Sequence, residues 1–315
     1  MYGFVHRQIL AGSDRWRQRV AGSAVERGQR RVSYDRVMAR YKVTLEYAGT
    51  KYSGWQKQKN ARTVQGEIER AIGAATGQRT FEFQGSGRTD AGVHALHQVA
   101  HLEIGVRVPP ELLRRQINDE LPADINLLRI EPAPARFHAR HAAVARSYLY
   151  QICRRRSAFA KPYVWWVKDA LDVRAMRAAA AHFTGMHDFQ AFSDDDPDEK
   201  STDVLVEEVL LAEDGDLVLV RVGGSHFIWK MVRRMAGVLV EVGTGRLGAD
   251  RVPALLREPS GLPARVTAPA SGLFLERVFY AGDERTLPLV PACPVPSGPA
   301  VTAGSRPRAA RRPQV

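Results

Sequence analysis

Several features that mark whole classes of protein are scarce or missing in this sequence. It has two cysteines in 315 residues, Cys153 and Cys293, and they form no CxxC pair. This argues against a disulfide framework or a cysteine-based zinc site, and a reducing cytoplasm is the expected location. No apolar run approaches the roughly 20 residues of a membrane span, and residues 1–40 lack the apolar core of a secretory signal. GKT and GKS are absent, which excludes a P-loop.

Acidic residues are also fewer than basic ones, 34 against 46, and the net charge is +12. Residues 1–40 contribute +6 and residues 282–315 contribute +3, which leaves only +3 for the body between them. Within that body, residues 132–168 hold eight Lys or Arg and no acid, interleaved with aromatic residues. This mixture is typical of RNA binding through phosphate contacts and base stacking. A solvated basic face over core aromatics would give the same pattern.

The two ends differ in composition from the body. Residues 1–40 are rich in Arg, Gly and Ser without periodicity, which predicts a disordered basic arm. An alternative is that Met38, just before the first expected strand, is the natural start. Residues 282–315 are rich in Pro, Ala and Arg and are also expected to be unstructured.

Between the ends, the apolar pattern predicts strands and helices in irregular alternation. Thr63 is placed to cap a helix, and the residues from about 227 to 242 form an apolar stripe at helical spacing. Strand pairs grouped with helices favour an α+β fold with a mainly antiparallel sheet. The expected strands are 41–47, 80–83, 98–104, 125–130, 146–153, 204–211, 217–222 and 273–280.

The segment GSGRTDAGVH, residues 85–94, places a carboxylate and an arginine in glycine-rich backbone between two expected strands. Its glycines permit positive φ and close backbone approach, so that Arg88 and Asp90 can be presented to a ligand. The alternative is a tight loop in which Asp90 only caps backbone N–H groups.

GRTDAGVHA followed by QVAHLE resembles the signature of the tRNA pseudouridine synthases, most closely the tRNA pseudouridine synthase A (TruA) family. Four further stretches occur in that family's order: YAGTKYSGWQKQ upstream, RFHAR and ARSYLYQI in the middle, and SHFIWKMVRRMAGVLVEVG downstream. Together they extend from Tyr41 to about Tyr280.

This resemblance implies a fold and an activity. The fold would be two ferredoxin-like lobes around a central basic cleft, with residues 41–145 as the N-terminal catalytic lobe and residues 146–281 as the C-terminal lobe. The activity would be isomerisation of uridine to pseudouridine at positions 38 to 40 of tRNA, by a homodimer without cofactor or nucleotide. A non-catalytic RNA-binding protein on the same fold, or a synthase acting at another RNA site, remains the alternative.

The resemblance also implies roles for particular residues. Asp90 would supply the nucleophilic or charge-stabilising carboxylate, and Arg233 the cation beside it. Tyr148 would stack on the target uracil and could assist removal of the proton from C5, with Tyr150 on the same strand face as the reserve candidate. Arg88 would enter the RNA helix where the target base leaves, because base extrusion costs a few kcal/mol that a planar cation can partly offset.

Arg233 has support from the helical pattern itself, since it projects from the face opposite the apolar stripe. Arg234 flanks that stripe and is the less favoured partner for Asp90. The acidic segment 194–199 would repel phosphate if it faced the cleft; a solvated loop away from RNA is the simpler expectation.

Two other motifs suggest different chemistry. Residues 243–248, GTGRLG, match a dinucleotide fingerprint and would suit a nicotinamide- or nucleotide-dependent enzyme, but the preceding run is helical where a strand is needed. His94, His97 and His101 could suggest a metal site, yet no Cys or Glu completes a familiar spacing. Neither a metal nor a cofactor is therefore expected.

Overall fold

The computed structural model describes residues 38–105, 108–197, 199 and 201–296. Residues 1–37 of the expected basic arm and residues 297–315 of the tail therefore lie outside the described residues, whereas Ala39 and Arg40, at the end of that arm, belong to the first strand. Within these ranges there are ten strands: β1 (Ala39–Tyr47), β2 (Glu82–Gly85), β3 (His94–Ile104), β4 (Ile125–Pro132), β5 (Ala143–Cys153), β6 (Trp165–Trp166), β7 (Gly185–Asp188), β8 (Asp203–Asp214), β9 (Leu217–Gly224) and β10 (Leu273–Tyr280). The helices are α1 (Val64–Thr76), α2 (Pro110–Glu120), α3 (Val173–Ala181), α4 (Met231–Gly243), α5 (Val252–Leu255) and α6 (Leu262–Arg265).

The strands form one continuous sheet in the order β4-β1-β3-β10-β5-β9-β8-β7, with β2 added to β3 and β6 added to β5. Every neighbouring pair is antiparallel except β3–β10 and β5–β6. This confirms the α+β class with a mainly antiparallel sheet. The division into two ferredoxin-like lobes stays a prediction, because the sheet runs without a break from β4 to β7.

Helices cover the sheet in two groups, each with its own apolar core. Helices α1 and α2 pack on each other, and α2 packs on β4; their core includes Leu45, Ile68 and Ile117. Helices α3 and α4 pack on each other, and their core includes Phe183 and Met235. Burying such side chains supplies most of the stabilising free energy of each half.

Local signals explain where several helices begin. The Thr63 side chain accepts a hydrogen bond from the Gly66 N–H, as its sequence position predicts for a cap of α1. Pro110 is the first residue of α2, where its missing N–H costs nothing. Asp172 caps α3 by accepting from the Ala175 N–H.

Helix α4 begins later than the sequence predicts. Its apolar stripe starts at Phe227, but the helix starts at Met231 because Lys230 has a left-handed backbone with φ of 63°. Ile228 is nevertheless buried, so the apolar spacing reports core contacts made from a turn as well as from the helix. The turn leaves Trp229 half exposed.

The start of the C-terminal tail is packed against the sheet, although its composition predicts an unstructured segment. Residues 284–296 contain no helix or strand. Arg221 donates hydrogen bonds to the Leu287 and Pro288 carbonyls, both at 2.8 Å, and the Gln151 side chain accepts from the Ala292 N–H at 2.6 Å. Side-chain bonds to backbone thus replace secondary structure here, a pattern that composition does not reveal.

Candidate active site

The loop between β2 and β3 carries Asp90, and its backbone is tied to the neighbouring loop after β1. The Trp55 N–H donates to the Thr89 carbonyl at 3.0 Å, and the Tyr47 hydroxyl lies 2.8 Å from Thr89 Oγ1. On the other side of Asp90, the Gly92 N–H donates to the Tyr52 carbonyl at 3.3 Å. The carboxylate therefore stands on backbone that is fixed on both sides.

Glycines are needed in this loop for two separate reasons. Gly92 has a positive φ of 80°, and a Cβ at Gly85 would lie 2.6 Å from the Trp55 ring. Gly87, by contrast, has no positive φ, and a Cβ there would meet no other atom within 4 Å, so the sequence overestimates its importance. Gly54, in the upstream stretch YAGTKYSGWQKQ, was not expected to matter. It has φ of 90°, and a Cβ there would lie 2.8 Å from the Thr89 carbonyl oxygen.

Arg233, in the first turn of α4, reaches Asp90. Its Nη1 lies 3.3 Å from Asp90 Oδ2, and both side chains are partly buried. Its Nε donates to the Ala268 carbonyl at 2.8 Å, and the Ala268 N–H donates to the Arg233 carbonyl at 3.1 Å. The guanidinium is thus oriented by α4 and by the segment before β10 before it meets the carboxylate.

The neighbouring arginine has a different partner. Arg234 is buried and pairs with Asp194, and its Nε has no hydrogen-bond partner among the described residues. The sequence pattern favoured Arg233 over Arg234, and the geometry agrees that only Arg233 contacts Asp90.

Tyr148 lies on β5 and is half buried beside Phe227, with an edge-to-face ring contact at 5.2 Å. Burial raises the pKa of its hydroxyl to about 12; Arg146 opposes this rise and the charge of Asp90 adds to it. Tyr150, the reserve candidate, is fully buried, and its hydroxyl donates to the Pro269 carbonyl at 2.8 Å. Tyr150 is therefore a core residue.

A cavity of about 950 Å³ is lined by all four predicted site residues, Asp90, Tyr148, Arg88 and Arg233. Arg88 is exposed and makes no hydrogen bond or ion pair with any described residue. These four residues come from three motifs, since Arg88 and Asp90 share the signature loop, and the structure brings them around one opening.

The cavity also contains residues that the sequence alone did not single out. Arg146 donates to the Ser225 carbonyl at 2.9 Å, and burial lowers the pKa of its guanidinium. Arg140 lines the same cavity, and both arginines belong to the basic and aromatic stretch at 132–168. That stretch was the available signal, but its charge did not show which arginines face the opening.

Part of the acidic segment lies at this cavity. The Asp195 carboxylate accepts a hydrogen bond from the backbone N–H of Trp229 at 3.0 Å. Asp195 and Trp229 both line the opening. Asp194 Oδ2 lies 2.6 Å from Lys230 Nζ. This contact and, to a lesser extent, the one with Arg234 lower the pKa of the Asp194 carboxyl. These two acids therefore hold the turn before α4 and neutralise charge there.

The histidines near the signature loop have structural partners. The Gly49 N–H donates to His94 Nδ1 at 3.0 Å, so the proton of the neutral ring is on Nε2, which donates to the Pro162 carbonyl at 2.9 Å. His101 is buried, and its Nε2 lies 3.0 Å from Glu82 Oε1. Among the described residues, no group of three His, Cys, Asp or Glu side chains is arranged to hold a metal ion.

The GTGRLG segment lies where α4 ends and not after a strand. Gly243 is the last residue of α4, and Gly245 takes a positive φ of 77° in the following turn. A dinucleotide site needs such glycines between a strand and the start of a helix. The segment is thus a helix-terminating turn.

The family pattern described as tRNA pseudouridine synthase matches residues 44–141 and 179–281, the two stretches that contain Asp90 and Arg233. The chain belongs to this family. It is accordingly an RNA pseudouridine synthase, an isomerase. It is 39% identical to tRNA pseudouridine synthase A 2 of Bacillus cereus over 246 residues, which cover 77% of this chain and 100% of the relative.

Two other comparisons complete this picture. The chain is 41% identical to tRNA pseudouridine synthase A of Rhodopseudomonas palustris over 246 residues, again 77% of this chain and 100% of the relative. A chain from the crystal structure of a Cbf5-Nop10-Gar1 complex has 12% sequence identity and a TM-score of 0.32, and the match covers 64% of this chain and 45% of that one. The latter likeness is too weak to bear on function. No helix in the described part of the chain is long and apolar enough to cross a membrane.

Proposed function

We propose that this pseudouridine synthase acts on the anticodon stem-loop of tRNA, at positions 38 to 40, and that Asp90 is its essential carboxylate. The observation that carries the proposal is the contact between Asp90 and Arg233 in a cavity that Tyr148 and Arg88 also line. The names of the relatives support tRNA as the substrate, and the family resemblance of the signature loop supports the anticodon stem-loop.

The reaction sets clear requirements for the site. The N1–C1′ bond of uridine breaks, a C5–C1′ bond forms, and the proton on C5 is replaced by one on N1. Atoms and electrons balance within the nucleoside, so a nucleophile and proton transfers suffice. Binding must hold the detached uracil while it turns, which suits an enclosed cavity better than a flat surface.

Asp90 is the residue proposed to act on the substrate. A carboxylate can form a covalent intermediate or stabilise positive charge at the sugar carbon. The Arg233 guanidinium, with Nη1 3.3 Å from Asp90 Oδ2, binds one oxygen of this carboxylate and orients the group in the cavity. Attack at C1′, attack at the base and removal of a sugar proton are all within the chemistry of this group.

Tyr148 is proposed to stack on the target uracil. Because the pKa of its hydroxyl is raised to about 12, the phenol is neutral near pH 7 and can donate a hydrogen bond. A neutral phenol is a poor base for the C5 proton. The raised pKa of Tyr148 therefore favours a stacking and hydrogen-bonding role over a phenolate role.

Arg88 is proposed to enter the RNA helix at the position that the target base leaves. Base extrusion costs a few kcal/mol, and a planar guanidinium can stack in the gap and contact phosphates. Since Arg88 has no ion-pair partner among the described residues, its charge is available to RNA without breaking an internal contact.

The partners are proposed from the family resemblance. We propose tRNA as the macromolecular substrate, a homodimer as the working form, no cofactor or nucleotide, and a cytoplasmic location. The basic and aromatic stretch at 132–168 supports a polyanionic partner, and affinity should decrease steeply with salt concentration.

The test is pseudouridine mapping of total RNA from cells with and without the gene, together with tritium release from C5-labelled uridine in tRNA by the purified protein. The full chain should restore the modification at positions 38 to 40, and Asp90→Asn should not. Asp169→Asn is a matched control, because Asp169 is an exposed carboxylate that pairs with Arg246 away from the cavity.

Each other outcome has a definite meaning. Activity retained by Asp90→Asn would refute the role of Asp90. Modification at another position would keep the chemistry and change the substrate. RNA binding without tritium release would leave the non-catalytic alternative.

A further inference from the structure

Trp229 is a large apolar side chain that remains 49% exposed in the cavity that contains Asp90 and Tyr148. It lies in the turn before α4, four residues before Arg233. Exposed indoles in binding sites commonly supply a flat apolar contact for a ligand. The reaction steps described above do not use this side chain.

The position of Trp229 is fixed by its neighbours. The backbone N–H of Trp229 donates to Asp195 Oδ2 at 3.0 Å. The next residue, Lys230, is the only non-glycine residue with positive φ among the described residues. A left-handed lysine is a strained conformation that surrounding contacts must maintain. The turn therefore holds one backbone geometry, and this fixes the point from which the Trp229 side chain leaves the main chain.

One face of the indole already has a partner. The Lys230 ammonium lies 4.5 Å from the centre of the Trp229 ring system and 2.6 Å from Asp194 Oδ2. The carboxylate holds the cation on the ring, where a cation–π contact stabilises it. A planar ligand can then contact the other face.

The charges around the indole indicate what that ligand is. The cavity lining contains five basic residues against two acidic ones: Arg88, Arg140, Arg146, Lys230 and Arg233, against Asp90 and Asp195. This composition suits a polyanion that carries flat apolar rings, which is the chemistry of a nucleic acid strand. An acidic protein segment would match the charge but would supply a flat ring only where it carries an aromatic residue, whereas every nucleotide carries one.

We propose that Trp229 is a stacking platform for an unpaired nucleobase that flanks the target uridine. The inference rests on the proposed function, because Tyr148 is assigned there to the target uracil and Trp229 must then receive a different base. Stacking is tolerant of base identity, so the platform would hold the strand in place beside the reacting nucleotide without selecting one sequence.

The test is a binding cycle between protein and RNA variants. Full-length protein carrying Asp90→Asn binds an anticodon stem-loop RNA without turnover, with either Trp229 or Ala at position 229. The RNA is either intact or carries an abasic nucleotide at one unpaired position next to the target. Trp229→Ala should weaken binding to intact RNA by roughly 5- to 100-fold, the range for loss of one base–aromatic stack.

One abasic position should weaken binding by the Trp229 protein to a similar degree and should have little further effect on Trp229→Ala. Trp229→Phe should keep most of the affinity and the coupling, since it retains a flat ring. Trp166→Ala is the matched control: Trp166 is 42% exposed with Arg156 near its ring, but it lies outside the cavity. It should show no coupling to any abasic position.

Additive losses at every abasic position, unchanged affinity of Trp229→Ala, or no binding of the stem-loop would each overturn the inference. If Trp229→Ala fails to fold, Trp229→Leu takes its place in the cycle, since it keeps an apolar side chain and removes the flat ring. Failure of the proposed function is seen separately, as absence of tritium release by the wild-type protein on the intact RNA.

Discussion

Arg233 Nη1 lies 3.3 Å from Asp90 Oδ2, although the two residues are 143 positions apart. The same guanidinium donates through Nε to the Ala268 carbonyl, so its position depends on two contacts. Its planar fork allows both contacts at once, which a lysine ammonium on a flexible chain cannot reproduce.

Replacing Arg233 should therefore reduce turnover more than substrate binding. Arg233→Gln, which removes the charge beside Asp90, should lower kcat by roughly 10²–10³, the range for loss of a preorganised electrostatic group. Arg233→Lys should lose less, because it keeps the charge without the geometry. Single-turnover rates at saturating tRNA measure this effect. Arg246→Gln is the control, since Arg246 is exposed and binds Glu241 and Asp169; equal losses in the two variants would contradict the role of Arg233.

Tyr148 gives a prediction about pH. A pKa raised to about 12 leaves the hydroxyl protonated from pH 7 to pH 10, so the phenolate population stays small over this range. If Tyr148 acts as a neutral phenol, the pH dependence of the rate should be the same in the wild-type protein and in Tyr148→Phe. In particular, the wild-type rate should not rise tenfold per pH unit. Tyr148→Leu, which loses the ring, should be slower than Tyr148→Phe. A wild-type rate that climbs with pH while Tyr148→Phe stays flat would instead identify a phenolate base.

Arg88 should matter for RNA and not for folding. Because it is exposed and has no partner among the described residues, Arg88→Ala should change the free energy of unfolding by less than about 0.5 kcal/mol. It should weaken tRNA binding and lower the slope of log affinity against log salt by about 1, the value for one lost phosphate contact. Denaturant unfolding and salt titrations measure the two quantities. A stability loss that matches the binding loss would show an internal structural role.

His94 should make the fold sensitive to acid. Burial lowers the pKa of its ring, while its bonds to backbone carbonyls oppose this effect. The unfolded protein therefore takes up a proton at higher pH than the folded one. Stability should be unaffected by His94 above pH 6.5 and should fall as the pH decreases from there through the folded pKa.

The geometry explains this penalty, since a proton added at His94 Nδ1 would face the Gly49 N–H that donates to it. His94→Gln should lower stability at pH 8 by roughly 1–3 kcal/mol through an unpaired buried N–H, and it should reduce the loss between pH 6.5 and 5. Urea unfolding across this range is the measurement, with His182→Gln as the exposed control. An unchanged acid slope in His94→Gln would assign the slope to other groups.

The sequence predicts well those elements whose signals are local. Thr63 starts α1 as a capping residue should, and strand β10 occupies residues 273–280, the range expected from the sequence. The α4 boundary fails because the left-handed Lys230 breaks the helix inside an unbroken apolar pattern. The spacing of apolar residues shows which side chains are buried. Here a turn and the helix after it bury side chains in the same core, so the spacing does not show where the helix begins.

The candidate site depended on a resemblance to a family, since no periodicity relates Asp90 to Arg233. Arg140 lies in the quoted stretch RFHAR, but the sequence does not single it out, because charge alone does not show which arginines face the cavity. Trp229 lies within a quoted motif, but an aromatic residue beside an apolar stripe is usually part of the core. Its exposure follows from the backbone of the next residue, which sequence does not reveal.

Strand β10 is the last strand along the described chain, yet it lies in the middle of the sheet, between β3 and β5. During synthesis, the segment of Asp90 emerges long before residues 273–280 leave the ribosome. Until then His94 and Ala95 of β3 lack their β10 partners, and one edge of β5 is open. Open strand edges can pair with other chains, so the nascent protein passes through a period of exposure to aggregation. A chain cut short before Leu273 would carry the signature loop complete and would still lack the strand that joins it to the rest of the site.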